Sequence, residues 1–344
     1  MVAPGSRNLI TDVRGIKVGN SEDPSAMTGV TVILAEGRAV GAVDVRGGGP
    51  GTRETEALMP EGLNVGVDAI VLAGGSVFGL DAAGAVVNQL ASQGRGYRLQ
   101  GASLVAPIVP AAILFDLANG GSKDWGNDPP YRALGAAACA AAGSTFTLGN
   151  AGAGYGARAG ALKGGLGSAS FVTGDGFEIG AIAAVNAFGS AVMPGTSTLW
   201  AWPFELVGDL GHQRLPQSPR PAAAGMPDDI KRPAQPAQNT TIACIAVNAA
   251  LTPSQARRIA IMAHDGMARA LRPVHAPFDG DVVFVLATGA RPLDEPEPWH
   301  LARLGTLAAE CLARAIARGV FEAQALGGWP AYRDRHASGF GLSR

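Results

Sequence analysis

The stretch AQPAQNTTIACIAVN, residues 234 to 248, sets the tightest limit on how this chain can fold. Up to Asn239 it is a run of prolines, alanines and polar residues; from Thr240 it is almost wholly apolar and β-branched. The second part reads as a buried strand, and a strand of that kind is expected in the middle of the fold. Two threonines head it. On this stretch alone two readings stand: the threonines merely open an edge strand, or the bond before Thr240 is one that is meant to be cut.

Further strand-like runs recur at 30–36, 39–45, 69–74, 179–189 and 281–289, each short and bounded by turn-forming residues. Helical spacing is clearest late in the chain. Thr252 caps a helix that Pro253 opens, with Ile259, Met262, Ala263, Met267 and Ala270 on one face and Arg272-Pro273 as its stop. A second helix is predicted over about 298–318, and shorter small-residue helices near 80–90 and 134–142. Strands and helices mix without strict βαβ alternation, which favours stacked sheets covered by helices over a single doubly wound sheet. Glycine is unusually abundant, 49 residues, and clusters at 47–54, 72–85 and 149–170. Such clusters mark tight turns, closely packed elements or the walls of a site. Between 208 and 238 the pattern disappears among prolines at 216, 219, 221, 227, 233 and 236, and an exposed linker is expected there.

Composition excludes several function classes. A net charge of -1, with 27 Lys and Arg spread along the chain, lacks the basic stripe that nucleic acid requires. No run approaches the roughly 18 apolar residues of a membrane span, and the N-terminus has no apolar leader, so a cytoplasmic protein is expected. Cys139, Cys244 and Cys311 are far apart among small or aliphatic neighbours and read as core residues in a reducing compartment. GGSVFG lacks the second glycine of a nucleophile elbow, so Ser76 reads as a turn serine. AGAGYG has no phosphate-binding lysine motif after it. The five histidines supply no zinc ligand set, His264 reads as a partly exposed structural residue, and neither a metal nor a cofactor is expected.

What remains is threonine chemistry. A Thr hydroxyl is a poor nucleophile unless a base adjoins it, and one solution is an N-terminal threonine whose own α-amine, of reference pKa about 7.7–8.0, takes the proton. That requires a cut before Thr240.

The sequence resembles the self-processing peptidase family S58, which includes the DmpA-type L-aminopeptidase/D-esterases, the β-aminopeptidases and the endo-type nylon-oligomer hydrolases. The resemblance is carried in order by LITDVRGIKVGN (9–20), VRGGGPGTRETE (45–56), LAGGSVFGLDAA (72–83), APIVPAAILFDL (106–117), AGAGYGARAGALKGG (151–165), AVNAFG (184–189), NTTIACIAVN (239–248) and DGD (279–281). It implies an α+β fold, a four-layer αββα sandwich of the N-terminal-nucleophile hydrolase kind, in one catalytic domain cut into residues 1–239 and 240–344. It implies Thr240 as the nucleophile of both processing and hydrolysis, Asn239 as the residue before the cut, Asn186 as an oxyanion donor and Lys163 as an ammonium beside the α-amine. Asp279 and Asp281 match a polar or acidic pair. One of them orients the nucleophile or holds the substrate amine, and sequence does not separate those roles; His275, close by, is at most a supporting residue.

Phe115, Tyr155 and Ser76 fall on the substrate side, and Phe115 stands where the nylon-oligomer hydrolases carry a tyrosine. The expected substrate is a small peptide or amide bearing an amino-acyl, β-amino-acyl or ω-amino-acyl group, with no nucleic-acid or membrane partner. A homo-oligomer, a tetramer of the cut units, is implied by the family. Two rivals are an acyltransferase of the ornithine acetyltransferase type and an uncut small-molecule binding protein on the same fold.

Overall fold

The computed structural model describes residues 2–63, 66–215, 225–231 and 239–341. In chain order its main elements are β1 (Ile16–Asp23), β2 (Thr28–Val45), β3 (Val67–Ala73), α1 (Asp81–Ser92), β4 (Ala111–Ile113), α2 (Tyr131–Ala140), β5 (Gly165–Thr173) and β6 (Glu178–Asn186), then β7 (Thr240–Ala249), α3 (Pro253–Ala270), β8 (Val282–Arg291) and α4 (Glu297–Glu322). Two sheets face one another. The first runs β5-β6-β7-β8-β2 and the second β1-β2-β3-β4. β2 serves both: residues 40–45 pair with β8, while residues 28–39 pair with β1 and β3. Within this framework β7–β8 and β3–β4 are parallel and the remaining pairs antiparallel.

The pleat of β7 explains why its sequence has no polar face. Ile242, Cys244 and Ala246 turn into the space between the sheets, in one cluster with Ile33, Leu72 and Leu114. Ala243, Ile245 and Val247 turn the other way, into a cluster with Ile259 and Met267 of α3 and Leu312 of α4. On the far side of the second sheet Val30, Val32 and Val71 are covered by Val86 and Leu90 of α1 and Leu134 of α2. The result is helix, sheet, sheet, helix, the four-layer α+β sandwich expected from the sequence.

Several elements differ from expectation. The runs 30–36 and 39–45 form one strand of 18 residues, whose exposed Glu36, Gly37 and Arg38 mark the crossing between sheets and not a turn. Neither β1 nor β5 is signalled by apolar alternation. β5, GLGSASFVT, is small because α4 lies against its backbone: a Cβ on Gly167 would stand 1.9 Å from the Ala315 carbonyl oxygen. The cluster at 149–170 therefore contains a core strand. The helices fall where expected within a few residues, and α3 begins with a capping box in which Thr252 Oγ1 accepts the Gln255 N–H while the Gln255 side chain accepts the Thr252 N–H.

The 208–238 segment is not uniformly exposed. Leu210, Ile230 and Lys231 are buried, whereas 216–224 and 232–238 lie outside the described residues. All three cysteines are free and buried. Among the described residues no helix is long and apolar enough to cross a membrane.

Candidate active site

Thr240, the first residue of β7, is 4% exposed and sits directly across from Asn186, the last residue of β6. On its other flank the chain entering β8 runs alongside, with Asn239 bridged to Asp279. This register puts the Asn239 carbonyl at the centre of a small hydrogen-bonded arrangement. Its oxygen accepts the Thr240 hydroxyl at 2.5 Å and the Gly280 N–H at 2.8 Å. Gly280 has to be glycine for this approach: a Cβ there would lie 2.7 Å from Thr240 Oγ1 and 2.9 Å from the Gly49 carbonyl oxygen. The GGGPG loop packs in the same way, since a Cβ on Gly47 would stand 2.3 Å from the Asp281 nitrogen, while the Gly49 N–H donates to the Asp279 carbonyl.

The two acidic residues share one face, as their spacing predicts, but it is not the face of the Thr240 hydroxyl. Alternation along β7 and β8 puts Thr240, Ile242 and Val282 toward the inter-sheet space, and Thr241, Asp281 and Val283 toward the helices. Asp281 accordingly accepts the Thr241 N–H at 2.7 Å and takes the His275 N–H at 3.1 Å and His275 Nδ1 at 2.8 Å. His264 packs edge-on against His275, 4.9 Å between ring centres, and meets the Asp44 carbonyl at 3.0 Å. It is 1% exposed, not partly exposed as expected, and burial lowers its pKa to about 4. Asp279 accepts the Ala276 N–H through Oδ2 at 2.8 Å, and its Oδ1 has no partner among the described residues. Burial, with the Asp281 charge beside it, raises the Asp279 pKa to about 7.

On the Thr240 side, Asn186 is held at several points. Its Nδ2 donates to the Phe115 carbonyl oxygen at 3.0 Å, and its Oδ1 accepts the Arg158 N–H at 3.0 Å and Lys231 Nζ at 3.1 Å. Phe115 thus serves Asn186 through its main chain, a contact that the tyrosine-to-phenylalanine difference leaves intact. Lys163 is buried with its Nζ on the Gly154 and Gly164 carbonyls at 3.1 and 2.7 Å, and burial lowers its pKa to about 7. Its nearest compensating charge is Asp116, itself raised to about 6 by burial although the Thr28 hydroxyl and the Gly75 N–H bind its two oxygens at 2.7 Å.

A small polar cavity beside Asn186 is lined by Phe115, Asp116, Asn119, Arg158 and Lys231. Tyr155 and Ser76 stand outside this lining: both are half-buried, Tyr155 closing a turn onto the Gly152 carbonyl and Ser76 donating its N–H to the Leu114 carbonyl. Among the described residues no group of three His, Cys, Asp or Glu side chains is placed to hold a metal ion.

The structure thus brings Thr240, Asn186, Phe115, Asp279 and Asp281 around one strand end, with Lys163 behind the cavity on the Asp116 side. Gly280, Lys231 and Asp116 were not singled out from the sequence. Gly280 was legible as the middle of DGD, where a residue between two acids in a strand lead-in has its own face. Lys231, in a proline-rich stretch, gave no signal beyond the neighbouring Ile230.

Residues 8–332 match the model of peptidase family S58. An uncharacterized aminopeptidase of Mycobacterium tuberculosis (strain ATCC 25618 / H37Rv) is 46% identical over 351 residues, covering 97% of this chain and 99% of that protein. A 6-aminohexanoate-oligomer endohydrolase of Kocuria sp. (strain KY2) is 30% identical over 294 residues, covering 83% of this chain and 76% of its own. Among solved structures, a Burkholderia sp. beta-aminopeptidase superposes with a TM-score of 0.70 at 24% identity, over 98% of this chain and 95% of that one. The L-aminopeptidase D-Ala-esterase/amidase of Ochrobactrum anthropi, described as a variant of the Ntn hydrolase fold, does so with 0.70 at 23%, over 95% and 90%. These two likenesses bear on the fold alone, whereas the match of the family across nearly the whole chain bears on what the chain is. The chain belongs to peptidase family S58 and is a hydrolase of amide bonds.

Proposed function

We propose that the chain cuts itself between Asn239 and Thr240 and then acts as an N-terminal-threonine aminopeptidase on small amides that carry a free amine. One observation supports this above the others: the Thr240 hydroxyl lies on the carbonyl of the residue before it, and that carbonyl already holds the Gly280 N–H. A backbone donor aimed at a carbonyl oxygen stabilises the negative charge that develops there on attack, an effect worth about 10²- to 10³-fold in rate where one such donor has been removed.

In the cut, Thr240 Oγ1 adds to the Asn239 carbonyl carbon and loses its proton, and the oxygen becomes an oxyanion under Gly280. The bond to the Thr240 nitrogen breaks as that nitrogen gains a proton, leaving Asn239 esterified to Thr240. Water then splits the ester, giving a carboxylic acid on Asn239 and a hydroxyl and free α-amine on Thr240. In turnover the α-amine takes the hydroxyl proton, the oxygen attacks the substrate amide, the departing amine carries the proton away, and water releases the acyl group.

Asn186 stands across from Thr240 on β6, its amide held on the Phe115 carbonyl beside the reacting pair. Asp281 fixes the strand through the Thr241 N–H, and Asp279 is the group of this pair whose pKa of about 7 lies near working pH. Asp116, with Lys163 behind it, sets the charge at the wall of the cavity where the substrate amine enters.

The test is the mass of the purified protein under denaturing conditions, with sequencing of the smaller fragment, followed by an amide-hydrolysis assay. A fragment beginning Thr-Thr-Ile-Ala-Cys with hydrolysis of amino-acyl amides is expected. An intact chain that hydrolyses such amides would remove the α-amine from the mechanism.

A further inference from the structure

The first cut lacks the base that later turnovers use. Until the cut is made, the Thr240 nitrogen is an amide nitrogen with no basic lone pair, so the first attack needs a proton acceptor that later turnovers do not. The carboxylates that flank the junction are poorly placed for it. Asp279 and Asp281 leave β8 on the helix side of the sheet, opposite the Thr240 hydroxyl. Asp116 has both oxygens engaged by Thr28 and Gly75, and the Lys163 amine bonds the Gly154 and Gly164 carbonyls with Asp116 as the charge beside it, so its hydrogen bonds lead away from the Thr240–Asn186 pair.

Lys231 is placed differently. It is 6% exposed and donates from Nζ to both the carbonyl oxygen and Oδ1 of Asn186, each at 3.1 Å. Asn186 is the direct cross-strand partner of Thr240, and residues so paired carry their side chains on the same face, with Cα atoms about 4.5–5.5 Å apart. The backbone that carries the amine is anchored, since the Lys231 N–H bonds to the Phe188 carbonyl at 2.9 Å and the neighbouring Ile230 packs with Phe188 and Ala276. Two donated hydrogen bonds use two N–H groups and leave an uncharged amine its lone pair. Burial, with the Arg158 guanidinium next, holds the Lys231 pKa well below the ordinary lysine value against the opposing pull of Asp279, which favours the uncharged amine.

We propose that Lys231 takes the Thr240 hydroxyl proton during self-cleavage and returns it to the departing Thr240 nitrogen, so that the first cut and later turnover use different bases. Resting on the self-cleavage reading, the assignment makes a residue upstream of the cut responsible for it. The step balances within the chain: one O–C bond forms, one C–N bond breaks, and one proton passes from oxygen to nitrogen through the lysine amine.

The experiment follows fragment appearance by mass in freshly translated chains of wild type, Lys231→Ala and Lys231→Arg. Both variants are expected to cut about 10²- to 10⁴-fold more slowly, the usual range for loss of a positioned base. Arginine retains donors for Asn186 but accepts no proton at working pH, so it separates proton transfer from positioning. Propylamine is expected to speed Lys231→Ala and leave Lys231→Arg unchanged. The wild-type rate should rise with pH and level off as Lys231 loses its proton, while Lys231→Arg loses that limb; Arg158 and Asp116 line the same cavity, and Asp279 acts on position 231 from outside that lining, in both. Cutting of Lys231→Arg at the wild-type rate, or a Lys231→Ala chain that propylamine does not speed, would overturn the assignment. A wild-type chain that never cuts would overturn the function reading itself, and that is seen before any variant is made.

Discussion

The two faces of the β7–β8 strand end are built from different materials. Toward the inter-sheet space lie the Thr240 hydroxyl, the Asn186 amide and the small cavity; toward the helices lie Asp279, Asp281, His275 and His264. The first face holds atoms that can react, and the second holds charges that act through the backbone, as Asp281 does through the Thr241 N–H. Separating them keeps the Asp279 and Asp281 carboxylates from competing for the hydroxyl proton while Asp281 still fixes the strand through a hydrogen bond.

Substitutions on either face test that division. The largest effect is expected from Thr240→Ala, which should abolish both the fragment pattern by mass and hydrolysis of amide substrates. Gly280→Ala comes next: its Cβ would meet Thr240 Oγ1 at 2.7 Å, and cutting should slow at least about hundredfold, the order reached when an oxyanion donor is displaced. Asp281→Asn, on the helix side, should lower kcat about tenfold or more while fragment formation persists, because an amide keeps one acceptor for Thr241 but no longer suits His275. A carboxylate effect on cutting as large as that of Thr240→Ala would collapse the division.

Asp279 sharpens it through pH. Its folded-state pKa of about 7 lies above the ordinary carboxylate value, so the folded state holds the proton more tightly than the unfolded chain. Wild type should therefore lose stability against Asp279→Asn as pH rises from about 4 to about 7, with a constant gap above; denaturant midpoints at several pH values measure this. Phe115→Tyr should do least, shifting cutting by less than about threefold, since Asn186 uses only the Phe115 carbonyl.

How much of this was legible in the sequence depended on whether the signal was local. β7, β8 and α3 were readable because burial on both faces, or a cap with helical spacing, writes itself into consecutive residues. β5 was not, because its composition answers to α4, where Gly167 meets the Ala315 carbonyl from a helix over a hundred residues away. β2 looked like two strands because Glu36, Gly37 and Arg38 resemble a turn when only neighbours are considered. At the site, Thr240, Asn186 and the acidic pair stood out as polar residues in apolar strands or as a motif. Lys231 did not, since a lysine among prolines looks solvated, and the groups it bonds, Asn186 and the Phe188 carbonyl, lie in a distant segment.

The strand order has a mechanical consequence for a chain cut before Thr240. β7 and β8 would belong to the smaller piece, yet they lie between β6 and β2, both of the larger one. Neither piece could then leave without opening two hydrogen-bonded seams at once, one along β6–β7 and one along β8–β2. The smaller piece is a wedge driven into a sheet whose two halves are joined by the larger, so severing the backbone at that bond would free an amine without loosening the assembly that holds it.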